Sequence, residues 1–492
     1  MRWRGPYLYL ALVFAVSRIA YYLAGVRFDT RPIFQFFQFI DPELLKHRLL
    51  ESLYYLHVQP PALDLYAGIV LKLFPESYAA AFHAVYLAAG LGICWLCYYL
   101  MRGCGVRRWI AFPLACAFIV SPGVVLFENL MLYEYPVALL LLVLAAALHR
   151  FAASQSALSL VTLFGSSLLL VLLRNLFHLV YFLGLLLALW LYFKASRRMV
   201  LLAGLIPLAV ILGLYAKNWI LFGSFSSSTW LGMNVDVITA HQLTEEEARD
   251  LLKRGLISPI SLIDAGAPII MYAPYVRMPA KTGIPVLDEV VTSTGATNFN
   301  NPVFLQIGRI YMRDGLEIIR HAPIAYLRSV ERAWFTYFLP AGDFPFFDLN
   351  RPKIYTLDRF VNLVCFGQLR DASDRKGLRK LEASGVRFGL IQYTGGFLML
   401  GLPALWMWSM VYLWSGMRRK SVAVPEMWLI GFLIFNITYL TAVVNFLSSF
   451  ENNRYRFPLD ACFVILLGVA AEQAASKWLT KTNRALRCEP RT

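Results

Sequence analysis

Apolar residues run nearly unbroken over 6–26, 78–101, 109–126, 134–149, 156–173, 175–193, 199–221, 390–415, 427–449 and 457–476, with short polar interruptions between most of them. Each run is close to the roughly 20 residues that a helix needs to cross a bilayer core. The pattern predicts an all-α polytopic membrane protein with about ten transmembrane helices. Arg18, followed by Tyr21 and Tyr22, reads as the first run reaching an interface, and no small-residue cleavage site marks that run as a signal peptide.

Two longer polar pieces break the series, 27–77 and 222–389. In the first, Asp41-Pro42-Glu43-Leu44-Leu45 has a helix-capping acid followed by Pro at the first helical position. Leu45, Leu49, Leu53 and Leu56 then recur at helical spacing, which predicts an interfacial helix with its apolar stripe on the bilayer surface. It ends at His57-Val58-Gln59-Pro60-Pro61, and a second amphipathic stretch follows from Ala62 to Phe74. The second piece carries a capping box at Thr244 and Glu247, turns near Gly266 and Gly283, and apolar periodicity over 303–339. The chain thus divides into a membrane module, 1–221, with the first outer loop at 27–77; a mixed outer domain, 222–389; and C-terminal spans with a basic tail, 390–492.

Composition agrees. Hydrophobic residues make up 59% of the chain and charged residues 15%, against about 25% charge in an ordinary soluble domain, which excludes a soluble enzyme. The net charge of +16 is explained by topology. Threading the spans from a cytoplasmic N-terminus puts Arg2, Arg4, Arg102, Arg107, Arg108, Arg150, Lys194, Arg197, Arg198, Arg418, Arg419, Lys420 and the tail residues Lys477, Lys481, Arg484, Arg487 and Arg491 on one face. Nucleic acid needs no place in the account. The cysteines form no disulfide framework, and Cys94-x-x-Cys97 sits inside a membrane run. His57, His241 and His321 show no metal-ligand spacing, so no metal site is assigned.

Residues 41–68 read DPELLKHRLLESLYYLHVQPPALDLYAG. This segment resembles the first outer loop of the GT-C superfamily, the multispan glycosyltransferases that use lipid-phosphate-linked sugars, and within it the bacterial relatives of the protein O-mannosyltransferases and the lipid A aminoarabinose transferase. In that family the loop supplies an Asp, often as Asp-Glu, opening a surface helix, and closes on a His-Pro-Pro-Leu-like motif. The resemblance puts the catalytic Asp on Asp41. Here Asp-Pro-Glu replaces Asp-Glu, and Gln59 stands where His is common, with His57 shortly before it; Asp29 and Glu43 remain alternatives for the acid's role. Further similar patches are Leu173-Arg174-Asn175, Lys217-Asn218-Trp219 leading to Phe222-Gly223-Ser224, and Glu451 to Pro458, which is similar to the family's Arg-Tyr-x-x-Pro pattern.

The resemblance implies transfer of a monosaccharide from a polyprenyl-phosphate-linked donor to a lipid, glycan or protein acceptor, with inversion and a carboxylate base. It implies a multi-pass protein of the bacterial inner membrane with its site facing the periplasm. Such a donor requires a cationic clamp at the outer headgroup level, because transfer leaves negative charge on the departing phosphate. Arg454, Arg456, Arg174 and Lys217 are predicted there; each is either part of that clamp or a headgroup anchor. Glu128, Tyr133 and Glu134, in FENLMLYEYP, fall on the same outer face and join His57 and Gln59 as candidate substrate-binding residues. Read alone, Asp41 is equally a helix cap. No cofactor is called for, a divalent cation stays open, and the acceptor's identity is unassigned. The competing readings are a transporter of an anionic lipid or solute, which the lack of an internal repeat weakens, and an oligosaccharide polymerase or ligase.

Overall fold

The computed structural model describes residues 4–371 and 391–487; Arg2, Arg491 and the predicted domain boundary at 389–390 lie outside them. The membrane module begins with α1 (Arg4–Leu23). The first outer loop carries α2 (Pro42–His47), α3 (Leu49–Tyr55) and α4 (Ala62–Leu73). Then come α5 (Tyr78–Gly103), α6 (Arg108–Val120), α7 (Pro122–Glu128), α8 (Glu134–Ser154), α9 (Ala157–Leu173), α10 (Leu179–Tyr192) and α11 (Arg197–Phe222). The outer domain contributes α12 (Leu231–Thr239), α13 (Glu245–Lys253), α14 (Val303–His321), α15 (Pro323–Tyr337) and α16 (Tyr355–Phe366), and the chain returns through α17 (Gly396–Arg419), α18 (Val424–Leu447) and α19 (Asn452–Arg487).

Among the described residues, seven helices are long and apolar enough to cross a membrane: α1, α5, α8, α11, α17, α18 and α19. The third predicted run is a helix pair, α6 and α7, bent by 56°. The bend falls where Ser121 is extended and Pro122 starts the next helix, because a proline disfavours helical geometry in the residue before it. Helices α9 and α10 hold 17 and 14 residues. At about 1.5 Å per residue they are about 25 and 21 Å long, short of a core of about 30 Å. Helix α8 is the hub, packed by α5, α9, α18 and α19. Its buried residues include Val137, Leu141, Leu144, Ala145 and Leu148, so it is apolar on nearly every side, as a helix enclosed by others must be.

The first outer loop departs from the amphipathic prediction. The helix breaks at Arg48, between α2 and α3. Leu45, Leu49 and Leu56 are buried inside the protein, while Leu50 and Tyr54 are exposed. The stripe therefore faces the core and not a bilayer surface. Gly68 on α4 makes this possible: a Cβ there would lie 2.4 Å from Leu49 Cδ1.

The outer domain is helical where a mixed domain was expected. The described residues hold only isolated bridges, Val291 with Thr297 within this domain and Asp29 with Leu130 in the membrane module. The capping box at Thr244 and Glu247 forms with both of its reciprocal hydrogen bonds. Helices α12 and α14 cross where Gly232 meets the Gly308 carbonyl, leaving no room for a side chain. Through α12 and α15 the domain rests on α18, and through α15 also on α19, so the first outer loop is enclosed between it and the bundle.

Candidate functional site

Asp41 is held from two sides. Within its own loop, Oδ1 accepts from the Glu43 backbone N at 2.9 Å and caps α2. From the outer domain, the Ser293 backbone N donates to Oδ2 at 2.5 Å and the Ser293 hydroxyl to Oδ1 at 2.6 Å. Asp41 is buried and lines a cleft of about 790 Å³, part of it open to solvent, together with Phe37, Gln38, Gln59 and Phe299.

The alternative acids are placed differently. Glu43 points outward beside Lys46 at 2.8 Å and His47 at 3.4 Å, and the Lys46 ammonium holds its carboxyl below the usual range. Asp29 is gripped by the Arg31 guanidinium, with Nη2 to Oδ2 at 2.6 Å, and Arg31 reaches on to Asp348. Its backbone is bridged to Leu130. Neither lines the cleft.

His57 is fully buried. Its Nε2 lies 3.0 Å from the Asn300 carbonyl, which only accepts, so Nε2 carries the proton and Nδ1 accepts from Thr229 Oγ1 at 2.8 Å. Burial drives the ring down to about 3, which keeps it neutral. Lys217 donates to the Leu56 carbonyl at 2.5 Å. These two residues clasp the end of the first loop to α11 and the outer domain. Gln59, close by, is buried and makes no hydrogen bond among the described residues.

The cations expected to act together occupy three places. Arg174 and Arg454 share Glu134: Arg174 Nη1 and Arg454 Nε each donate to Oε1 at 2.5 Å. Arg454 also donates to Glu451 Oε2 at 2.6 Å and to the Tyr133 hydroxyl at 2.9 Å. Arg174 lies over the Tyr133 ring at 3.9 Å and the Tyr455 ring at 4.9 Å. Its Nε and the second oxygen of Glu134 have no partner among the described residues. Arg456 faces elsewhere, donating to the carbonyls of Tyr337 and Leu339 and to Asp460, which closes the C-terminus of α15. Lys217 is the third case, already committed to Leu56.

Glu128 is also apart. It receives both arms of Arg18, at 2.8 and 2.7 Å, and the Tyr135 hydroxyl at 2.6 Å. Arg18, largely covered, thus ties α1 to α7.

A second cleft, lined by Tyr133, Arg174, His178, Trp230 and Tyr455, meets the first at Phe37 and Gln59, which line both. The Phe37 ring stacks on Trp230 at 4.3 Å. The structure therefore brings Asp41, Gln59, Tyr133, Glu134, Arg174 and Arg454 to one composite site, and leaves Asp29, Glu43, His57, Glu128, Lys217 and Arg456 around it. Among the described residues no group of His, Cys, Asp and Glu is arranged to hold a metal ion.

Four contributors were not singled out from the sequence: Phe37, Gln38, Ser293 and Asp64. Asp64 is fully buried on α4, and its Oδ1 accepts from the Ile40 backbone N at 2.8 Å, fixing the residue before Asp41. Burial pushes its carboxyl up to about 7. Comparison of the chain with protein-family models, with curated proteins and with solved structures finds no match in any of the three.

Proposed function

We propose that the chain is a membrane glycosyltransferase of the GT-C type, moving a monosaccharide from a polyprenyl-phosphate-linked donor to an acceptor hydroxyl with inversion. The observation that carries this reading is the junction of the two clefts at Phe37 and Gln59. It sets a hydroxyl-binding carboxylate and a stacked cation in adjoining clefts, the two groups that inverting transfer from a phosphate donor requires. Asp41 takes the proton of the acceptor hydroxyl. That oxygen attacks the anomeric carbon, the carbon–oxygen bond to phosphate breaks, and its electron pair leaves with the phosphate. Arg174 and Arg454 balance the resulting charge, and Glu134 holds the two guanidiniums together in the meantime. Arg174 is suited to this work because its Nε is uncommitted and its plane is fixed between two rings.

The accompanying topology has about ten spans in the bacterial inner membrane, with residues 222–389 in the periplasm and the basic loops in the cytoplasm. The test is transfer of label from radiolabelled polyprenyl-phosphate sugars by the purified chain in nanodiscs, with membrane extract as the source of acceptor. Labelled product that depends on the chain supports the reading. No product from any such donor, with an anionic lipid or solute carried across proteoliposomes instead, would replace it with the transporter reading.

A further inference from the structure

We propose that the cleft beside Asp41 is the acceptor site and that it takes a neutral sugar; this rests on the glycosyltransferase reading and specifies its acceptor. Among the described residues Asp41 is the only charged one in the lining, which contains no Lys, Arg or His. An acceptor bearing phosphate or carboxylate at this depth would sit beside Asp41 with no cation to balance it, a cost that a neutral polyol avoids.

The lining also has what a polyol needs. Gln38 and Gln59 are 4% and 7% exposed, and neither makes a hydrogen bond among the described residues; the Gln38 Oε1 atom is fully enclosed and unpartnered. A carboxamide both donates and accepts, as a sugar hydroxyl does, so a buried pair left uncommitted by the fold is matched by adjacent hydroxyls. Phe37 and Phe299, edge to face at 5.9 Å, add an apolar wall of the kind that covers the C–H face of a sugar ring. Finally, a hydroxyl already occupies the reactive position: Ser293 Oγ donates to Asp41 Oδ1 at 2.6 Å, and the incoming sugar hydroxyl takes over that bond as Ser293 withdraws.

The experiment is saturation-transfer NMR on the full chain in nanodiscs, without donor. The probes are methyl glucoside, methyl N-acetylglucosaminide and lactose, compared with glucose 6-phosphate and a neutral serine tripeptide. At least one neutral sugar is expected to receive saturation, with at least fivefold weaker binding in Gln38→Leu and in Gln59→Leu, each checked for an unchanged melting temperature. Two positions keep the test open should one variant fold poorly. Equal or stronger signal from the phosphate or the peptide, no signal from any neutral sugar, or binding unchanged in both variants would overturn the proposal. The two levels separate cleanly. Sugar binding without any transfer would sink the enzyme reading and keep the site, whereas transfer to an anionic acceptor would keep the enzyme and sink the site.

Discussion

Arg174 shows what a single residue discloses. When the spans are threaded from a cytoplasmic N-terminus, it is a cation in a short outer loop of a chain whose other short-loop cations face inward, so it stands out in the sequence. Its partner is not, because Glu134 lies 40 positions away and no periodicity links them. Arg174→Lys keeps the charge and loses the planar stack on Tyr133 and Tyr455; donor affinity in the nanodisc assay should fall roughly tenfold or more, with the melting temperature little changed. Ser293 was invisible in sequence, since a serine within Thr292-Ser293-Thr294 carries no pattern of its own. Asp64 was overlooked for another reason: an acid in the first turn of a helix is what the helix dipole alone would favour.

Asp64 also has a consequence for stability against pH. Its folded pKa of about 7 lies above the unfolded value of 3.8, so between these values the folded chain holds a proton that the unfolded chain has released. Its contribution is complete below pH 4 and is lost as pH rises toward 7. Asp64→Asn should match the parent at pH 4 and gain on it up to pH 7 and beyond, by an amount on the order of a few kcal/mol, read as a pH-dependent difference in melting temperature. A constant difference across that range would contradict the buried, protonated Asp64.

At the scale of elements, apolar periodicity located helices well and partners poorly. All ten apolar runs contain a helix over their described parts, because each run reports on its own residues alone. Whether a stripe such as Leu45 and Leu49 meets lipid or protein depends on what packs over it, and here that is Gly68 on α4, a contact that the stripe's own spacing does not contain. The same holds for the two arginines near the start of α19, which read as equivalent in Arg454-Tyr455-Arg456. They diverge because successive positions on a helix point in different directions: one faces Glu134 and the other the end of α15. Arg456→Ala is accordingly expected to reduce folded protein and melting temperature, while activity per folded molecule stays near that of the parent. Glu128→Gln should act in the same way, since removing one partner of a buried ion pair costs about 3–5 kcal/mol. Size-exclusion yield measured beside specific activity checks both.

For the whole molecule, the first outer loop is the piece on which everything converges: the outer domain clasps it through Asn300, Thr229 and Ser293, and α11 through Lys217. That arrangement puts the composite site between bundle and outer domain. On the proposed topology, cysteines at exposed Lys281 and Arg418 label from opposite sides of the membrane, position 281 from outside and position 418 only after permeabilisation; the reverse would invert that topology.

The central claim is that Asp41 is a base and more than a helix cap. Asparagine keeps a carbonyl oxygen to accept from the Glu43 backbone and the Ser293 hydroxyl; it loses the capacity to take a proton and, with an amide nitrogen in place of Oδ2, the bond from the Ser293 backbone N, so the variant's fold is checked beside its rate. The decisive measurement is single-turnover sugar transfer by Asp41→Asn in nanodiscs, with donor binding determined on the same sample. The account predicts donor binding within a few-fold of the parent and transfer reduced by roughly a hundredfold or more, the usual scale for loss of a general base. Transfer at the parent's rate in a fully folded Asp41→Asn variant would contradict it.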